Sequence, residues 1–159
     1  MTNRNFYPFF ITLVLSIVFF IIYIFLARKG IILSLEPNES IGDISRWCER
    51  VSGGIFREPS NALSNIGFMI LGLLMFWILA KDIKSNTSNQ FTGLNPISIL
   101  YASAAVFLGP GSLLMHGTHT EWGEWADNLS MIMYIIIPWL LNIKAVSYTH
   151  LTLPTNREV

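Results

Sequence analysis

The chain has 159 residues, 52% apolar and 13% charged, with zero formal net charge. Soluble domains carry roughly 25% charged residues, so this composition leaves too little polar surface for one, and the neutral balance without a Lys/Arg run gives no support for a nucleic-acid surface. The single cysteine, Cys48, excludes an internal disulfide framework and a Cys-rich zinc module.

An uncharged apolar block over residues 7–27 ends at Arg28-Lys29. A helix needs about 20 apolar residues to cross the hydrocarbon core, whereas the apolar part of a signal peptide spans about 7–15. The block therefore reads as a retained transmembrane helix. Residues 30–61 form a polar connector holding Asp43, Trp47, Cys48, Glu49, Arg50, Arg57 and Glu58. A second apolar block covers 62–80 and is closed by Lys81-Asp82. After a Ser/Asn/Thr-rich loop, Pro96 suits the first turn of a third block over 97–115. Pro110-Gly111 within it should kink that helix or loosen its backbone bonds. A loop over 116–126 leads to a fourth block at 129–143. Trp122, Trp125 and Trp139 lie near block ends, as aromatic anchors do at a membrane interface. The expected fold is all-α, a polytopic transmembrane bundle with four helices in this chain. Charge counting leaves orientation open: Arg28 and Lys29 draw the connector inward, while Arg4, Lys81, Lys84 and Lys144 favour the opposite sense.

From Val146 the character changes. Val146-Ser147-Tyr148-Thr149-His150-Leu151 corresponds to a translated sequencing-library adapter, so residues 146–159 read as a non-native tail, with a genuine polar tail as the other reading. His150 is accordingly not counted as a ligand.

Two clusters could carry chemistry. Ser112 and His116 are four apart and share a helix face, and Asp127 opens the fourth block close by. A hydroxyl, an imidazole and a carboxylate thus converge near the membrane boundary. Such a set could serve a catalytic zinc, which needs about three protein ligands and an open position. It could equally be an interfacial His116 and His119 with Asp127 as a helix N-terminal charge. The second cluster comprises Trp47, Cys48 and Glu49, then Glu58, Asn61, Ser64 and Asn65. Its plain reading has Asn61 capping the helix, Glu58 favouring the positive end and Trp47 anchoring at headgroups. The functional reading uses Asp43, Glu49 and Glu58 as oxygen ligands for calcium. Asn38-Glu39-Ser40 and Asn86-Thr87-Ser88 fit the N-glycosylation pattern.

In order, Trp47-Cys48-Glu49, then Glu58, Asn61, Ser64 and Asn65, then Gly111, Ser112 and His116, and finally Asp127 with Ser130-Met131 resemble the alkaline ceramidases, within a superfamily of seven-helix membrane hydrolases and receptors. The resemblance covers residues 43–143. It implies zinc-dependent hydrolysis of the amide of a ceramide-like membrane lipid. His116 would be a zinc ligand beside two histidines of a last helix, Asp127 the general acid/base and Ser112 the oxyanion partner. It further implies calcium held by Trp47 (through its carbonyl), Glu49 and Glu58, although Arg46 stands where the family has an acidic residue. On this reading residues 1–29 are an added helix, residues 30–145 are the N-terminal part of the ceramidase-like domain, and seven or eight helices make the complete protein. The fragment alone is then expected to be inactive. The implied topology places the Trp47 segment outside and the N-terminus in the cytoplasm, in keeping with Arg4 and the Lys81–Lys84 loop. A receptor or lipid sensor of the same superfamily and a non-catalytic membrane scaffold are the rival readings.

Overall fold

The computed structural model describes residues 3–38, 49–82 and 92–152, with side chains described from 5 to 143 of those. Among the described residues every regular element is helical. A short 3-10 turn, Asn3–Phe6, leads into α1 (Tyr7–Arg28), followed by α2 (Ile31–Ser34), α3 (Pro59–Ser64), α4 (Ile66–Lys81), α5 (Pro96–Thr118) and α6 (Glu121–Thr152). Four stretches are long and apolar enough to cross a membrane: Tyr7–Arg28, Pro59–Lys81, Pro96–Thr118 and Glu121–Ile143. The chain is a multi-pass integral membrane protein.

The α1 sequence is rich in β-branched residues, which weakens a helix in water. Lipid offers its backbone no other partner, so the helix forms all the same. Only Ser16, Tyr23 and Ala27 are buried on it. Their spacing defines one stripe, with Phe9, Phe19, Phe20 and Leu26 partly buried beside it, and the remaining apolar surface faces lipid. The other three spans pack through small residues. A Cβ on Gly72 of α4 would lie 2.6 Å from the Val106 backbone nitrogen of α5, and one on Gly109 would lie 2.9 Å from the Asn65 carbonyl. On the other flank of α5, a Cβ on Gly111 would meet the Ser130 side chain, and one on Gly123 the Leu114 carbonyl at 2.9 Å. Without a hydrophobic drive between spans, such close approach is what holds them together.

Helix boundaries differ from the apolar blocks for identifiable reasons. Asn95 accepts hydrogen bonds from the N–H groups of Ile97 and Ser98, and Ser98 returns one, so a capping box starts α5. That helix continues through Pro110 to Thr118. The connection to α6 is therefore His119-Thr120 alone, not the eleven-residue loop expected from hydropathy. His119 takes the left-handed conformation, φ 54°, and its N–H reaches the Met115 carbonyl. The Thr120 hydroxyl then accepts from the Gly123 N–H and caps α6, whose first turn carries Glu121 and Glu124. Residues 121–126, expected as loop, are helix. Asn61, expected as a cap, lies inside α3 instead. The N–H groups of Ser60 and Asn61 are met by the two carboxylate oxygens of Glu49, at 2.7 and 2.8 Å.

The spans alternate in direction. Phe6 and Phe9 pack edge-on against Trp77 at one end of the bundle. The opposite end gathers the C-termini of α1 and α5, the N-termini of α3 and α6, and the described parts of the polar connector, 30–38 and 49–58. Trp122 and Trp125 are exposed at that level, 46% and 66% respectively, as interfacial anchors require.

Candidate functional site

The site lies at this second end. The last four carbonyls of a helix have no intrahelical partner, and on α5 the connector supplies some. The Glu58 N–H donates to the His116 carbonyl (3.0 Å), the Arg57 N–H to Gly117 (3.2 Å) and the Asn38 N–H to His119 (2.7 Å). This backbone pairing lays the segment before α3 against the C-terminus of α5. It thereby delivers the Glu58 side chain, which is fully buried, to the histidines.

The Glu58 carboxylate is shared. Its Oε2 lies 2.6 Å from Nδ1 of His116 and accepts from Nδ2 of Asn61 at 3.1 Å. Its Oε1 faces Nε2 of His119 at 3.3 Å, without hydrogen-bond alignment on either side. Arg57, also buried, donates from Nη2 to the Leu35 carbonyl at 2.7 Å. The carboxylate at Nδ1 favours the His116 tautomer with its lone pair on Nε2. Metal-binding histidines are commonly oriented this way, with a carboxylate on the far ring nitrogen. His116 thus fits a zinc ion as one nitrogen donor. Among the described residues no three His, Cys, Asp or Glu side chains gather as a metal site.

Asp127 is 8% exposed near the start of α6, and its Oδ1 has no hydrogen-bond partner. The Ser130 hydroxyl donates instead to the Asp127 backbone carbonyl at 2.8 Å. An unpaired carboxylate oxygen in this setting is costly and marks functional residues within membrane spans. Ser112 is half-buried and lines a cavity of about 270 Å³ with Asn65, Phe68, Leu108, Met131, Tyr134 and Ile135. Ser112 and Asp127 each follow a residue of the tight α5–α6 crossing, where Gly111 meets Ala126 and Ser130.

Of the residues expected to hold calcium, the structure describes Glu49 and Glu58. Trp47, like Asp43 and Arg46, lies outside the described residues. Glu49 caps α3. Partial burial works against its charge, but the N–H groups of Ser60 and Asn61, the Ser60 hydroxyl and nearby His116 outweigh that and hold its carboxyl below the ordinary value. Glu58 faces imidazoles and an amide. The Asn38 side chain donates to Glu124 at 2.8 Å, so a glycan on that nitrogen would have to break the contact.

His119 and the Glu58–His116 contact were not singled out from sequence as a pair. Their separation along the chain hides them, and only the backbone pairing at the end of α5 brings them together. Burial, the largest influence, lowers the pKa of His119; Arg57 and His116 act in the same direction, and Glu58 partly opposes them. The folded protein therefore holds His119 neutral while the unfolded chain protonates it near pH ~6.5. Its contribution to stability is complete above that value and lost as the pH falls through the lower folded value. Thermal unfolding measured from pH 8 to 5 should show this loss, and His119→Gln should flatten it. Glu49 loses its contribution only in a more acidic window, so the two are separable. An unchanged slope in His119→Gln would assign the effect to other groups.

No family model, curated protein or solved structure matches this chain.

Proposed function

We propose that this end of the bundle is part of a zinc-dependent hydrolase acting on the amide bond of a ceramide-like membrane lipid. The observation that carries the reading is the 2.6 Å contact between the buried Glu58 carboxylate and Nδ1 of His116. It prepares Nε2 of that ring for a metal. The unpaired Oδ1 of Asp127 supports it, as a base awaiting a proton. A bound ion would contribute Lewis acidity at the amide carbonyl and a more acidic water. Asp127 takes the proton of the attacking water and passes it to the leaving amine. The Ser112 hydroxyl donates to the oxygen on which negative charge develops. The cavity beside Ser112, walled by Phe68, Leu108, Met131 and Tyr134, offers an apolar approach from the bilayer.

A catalytic zinc needs about three protein ligands, and the resemblance draws two further imidazoles from a later helix. The resemblance also places the N-terminus in the cytoplasm and the site on the opposite face. The resemblance also carries calcium at Glu49, Glu58 and the Trp47 carbonyl as a secondary part of this proposal. The test uses a full-length protein bearing the later helix. His116→Ala and Asp127→Asn should each lower amide turnover about a hundredfold or more at unchanged expression. Retained turnover in either variant removes the mechanism. A second reading, in which the cluster only ties helices together, draws on the backbone bonds concentrated at the same place. Purified protein without stoichiometric zinc would favour it.

A further inference from the structure

The 55–58 segment that carries Glu58 is held from both sides. On one side its N–H groups at Arg57 and Glu58 reach carbonyls of α5. On the other, three consecutive carbonyls are taken: Ile55 by the Tyr23 hydroxyl (3.1 Å), Phe56 by the Ser52 hydroxyl (2.8 Å) and Arg57 by the Ser52 N–H (2.7 Å). Tyr23 belongs to α1. Its ring stacks on Phe56 with centroids 5.0 Å apart and planes 11° from parallel. It is 3% exposed and packs with Ala27, Ile32, Ala62 and Leu113 in one core cluster. Gly117 of α5 leaves the room: a Cβ there would sit 2.3 Å from the Tyr23 hydroxyl oxygen. Beyond α1, the Leu35 carbonyl receives Arg57 Nη2, and Asn38 binds both the His119 carbonyl and Glu124.

We infer that the N-terminal helix is a working part of the site rather than an anchor, with Tyr23 a positioning residue whose hydroxyl, through the Ile55 carbonyl, sets Glu58 on His116. In a span, a buried hydroxyl must find an acceptor, and a surface anchor would present neither this contact nor the space that Gly117 leaves for it. The ring alone would satisfy packing. The hydroxyl adds a fixed register between α1 and the connector. This inference concerns the geometry of the His116 ring and stands whether or not the site hydrolyses a lipid.

Tyr23→Phe in the full chain keeps the ring stack and removes only the hydroxyl. Loss of one buried hydrogen bond should speed amide hydrogen exchange at Arg57 and Glu58 about fivefold, while exchange in the middle of α4 and α5 stays put. The ¹⁵N shifts of the His116 ring, which report the nitrogen carrying the proton, should move toward a tautomer mixture. Gly117→Ala should reproduce both changes by pushing the hydroxyl aside, and should add less in the Tyr23→Phe background, where the oxygen is gone and only the ring carbon Cζ at 3.0 Å is still pressed. Unchanged exchange and ring shifts in Tyr23→Phe, or simple additivity in the double variant, would overturn the inference. So would an acceleration spread evenly over all helices, which marks general loosening.

Discussion

Glu58→Ala should cost about 3 kcal/mol or more of stability in detergent, the largest loss expected from any single side chain at this end of the bundle. The carboxylate is fully buried, and truncation removes the oxygen that it offers to Nδ1 of His116 and Nδ2 of Asn61. The Glu58 backbone remains paired to the His116 carbonyl and holds the connector in place. Glu58→Gln should behave differently. Its amide oxygen can still accept from His116 and Asn61, and its NH₂ can donate to Nε2 of His119, which has no aligned partner in the parent. A stability loss within about 1 kcal/mol is expected for it. The two variants therefore separate folding from chemistry. An amide is a weaker acceptor than a carboxylate and polarises the imidazole less. On the proposed function, zinc affinity of the complete protein should fall about 10–100-fold in Glu58→Gln despite its near-native stability. Equal zinc affinity in Gln and parent would deny Glu58 its role toward His116, whatever happens to stability.

The spans were legible from sequence because hydropathy and length decide them in a membrane. All four apolar blocks became helices, with ends moved by local chemistry that hydropathy ignores. The clearest case is residues 121–126. Glu121 and Glu124 read as loop by polarity, yet acidic residues belong at a helix N-terminus, and Thr120 supplies the cap. Ser112, His116 and Asp127 were legible as chemistry-bearing types on neighbouring helix ends. Their partners were not. Glu58 meets His116 across 58 positions through a backbone pairing that leaves no periodic trace. Glu49 was read for its charge, whereas its structural duty is to receive the first N–H groups of α3, a role Asn61 had seemed better placed to fill. Tyr23 sits in an otherwise lipid-facing apolar run, where an aromatic residue draws no notice until Gly117 is seen to make room for its hydroxyl.

Gly111→Ala should damage both packing and the Asp127 position. The added methyl would lie 2.5 Å from the Ser130 hydroxyl oxygen, 2.7 Å from its Cβ and 2.8 Å from the Ala126 carbonyl. The first two belong to a short side chain already bonded to the Asp127 carbonyl, and the third is backbone. No rotamer change relieves all three, so α6 must move away from α5 and carry Asp127 with it. Overpacking of this kind costs about 1–3 kcal/mol. Gly72→Ala provides the comparison. Its methyl would press on the Val106 backbone nitrogen at 2.6 Å, at the α4–α5 contact about ten residues before His116, roughly 15 Å along the helix. Both variants should unfold at lower temperature by similar amounts, but on the proposed function only Gly111→Ala should abolish amide turnover. Ser130→Gly in the Gly111→Ala background removes two of the three clashes and leaves the Ala126 carbonyl in place. Stability should then recover in part while turnover does not, because the backbone that fixes Asp127 remains displaced. Full recovery of turnover in that double variant would show that the carboxylate's position does not depend on how closely α5 and α6 approach.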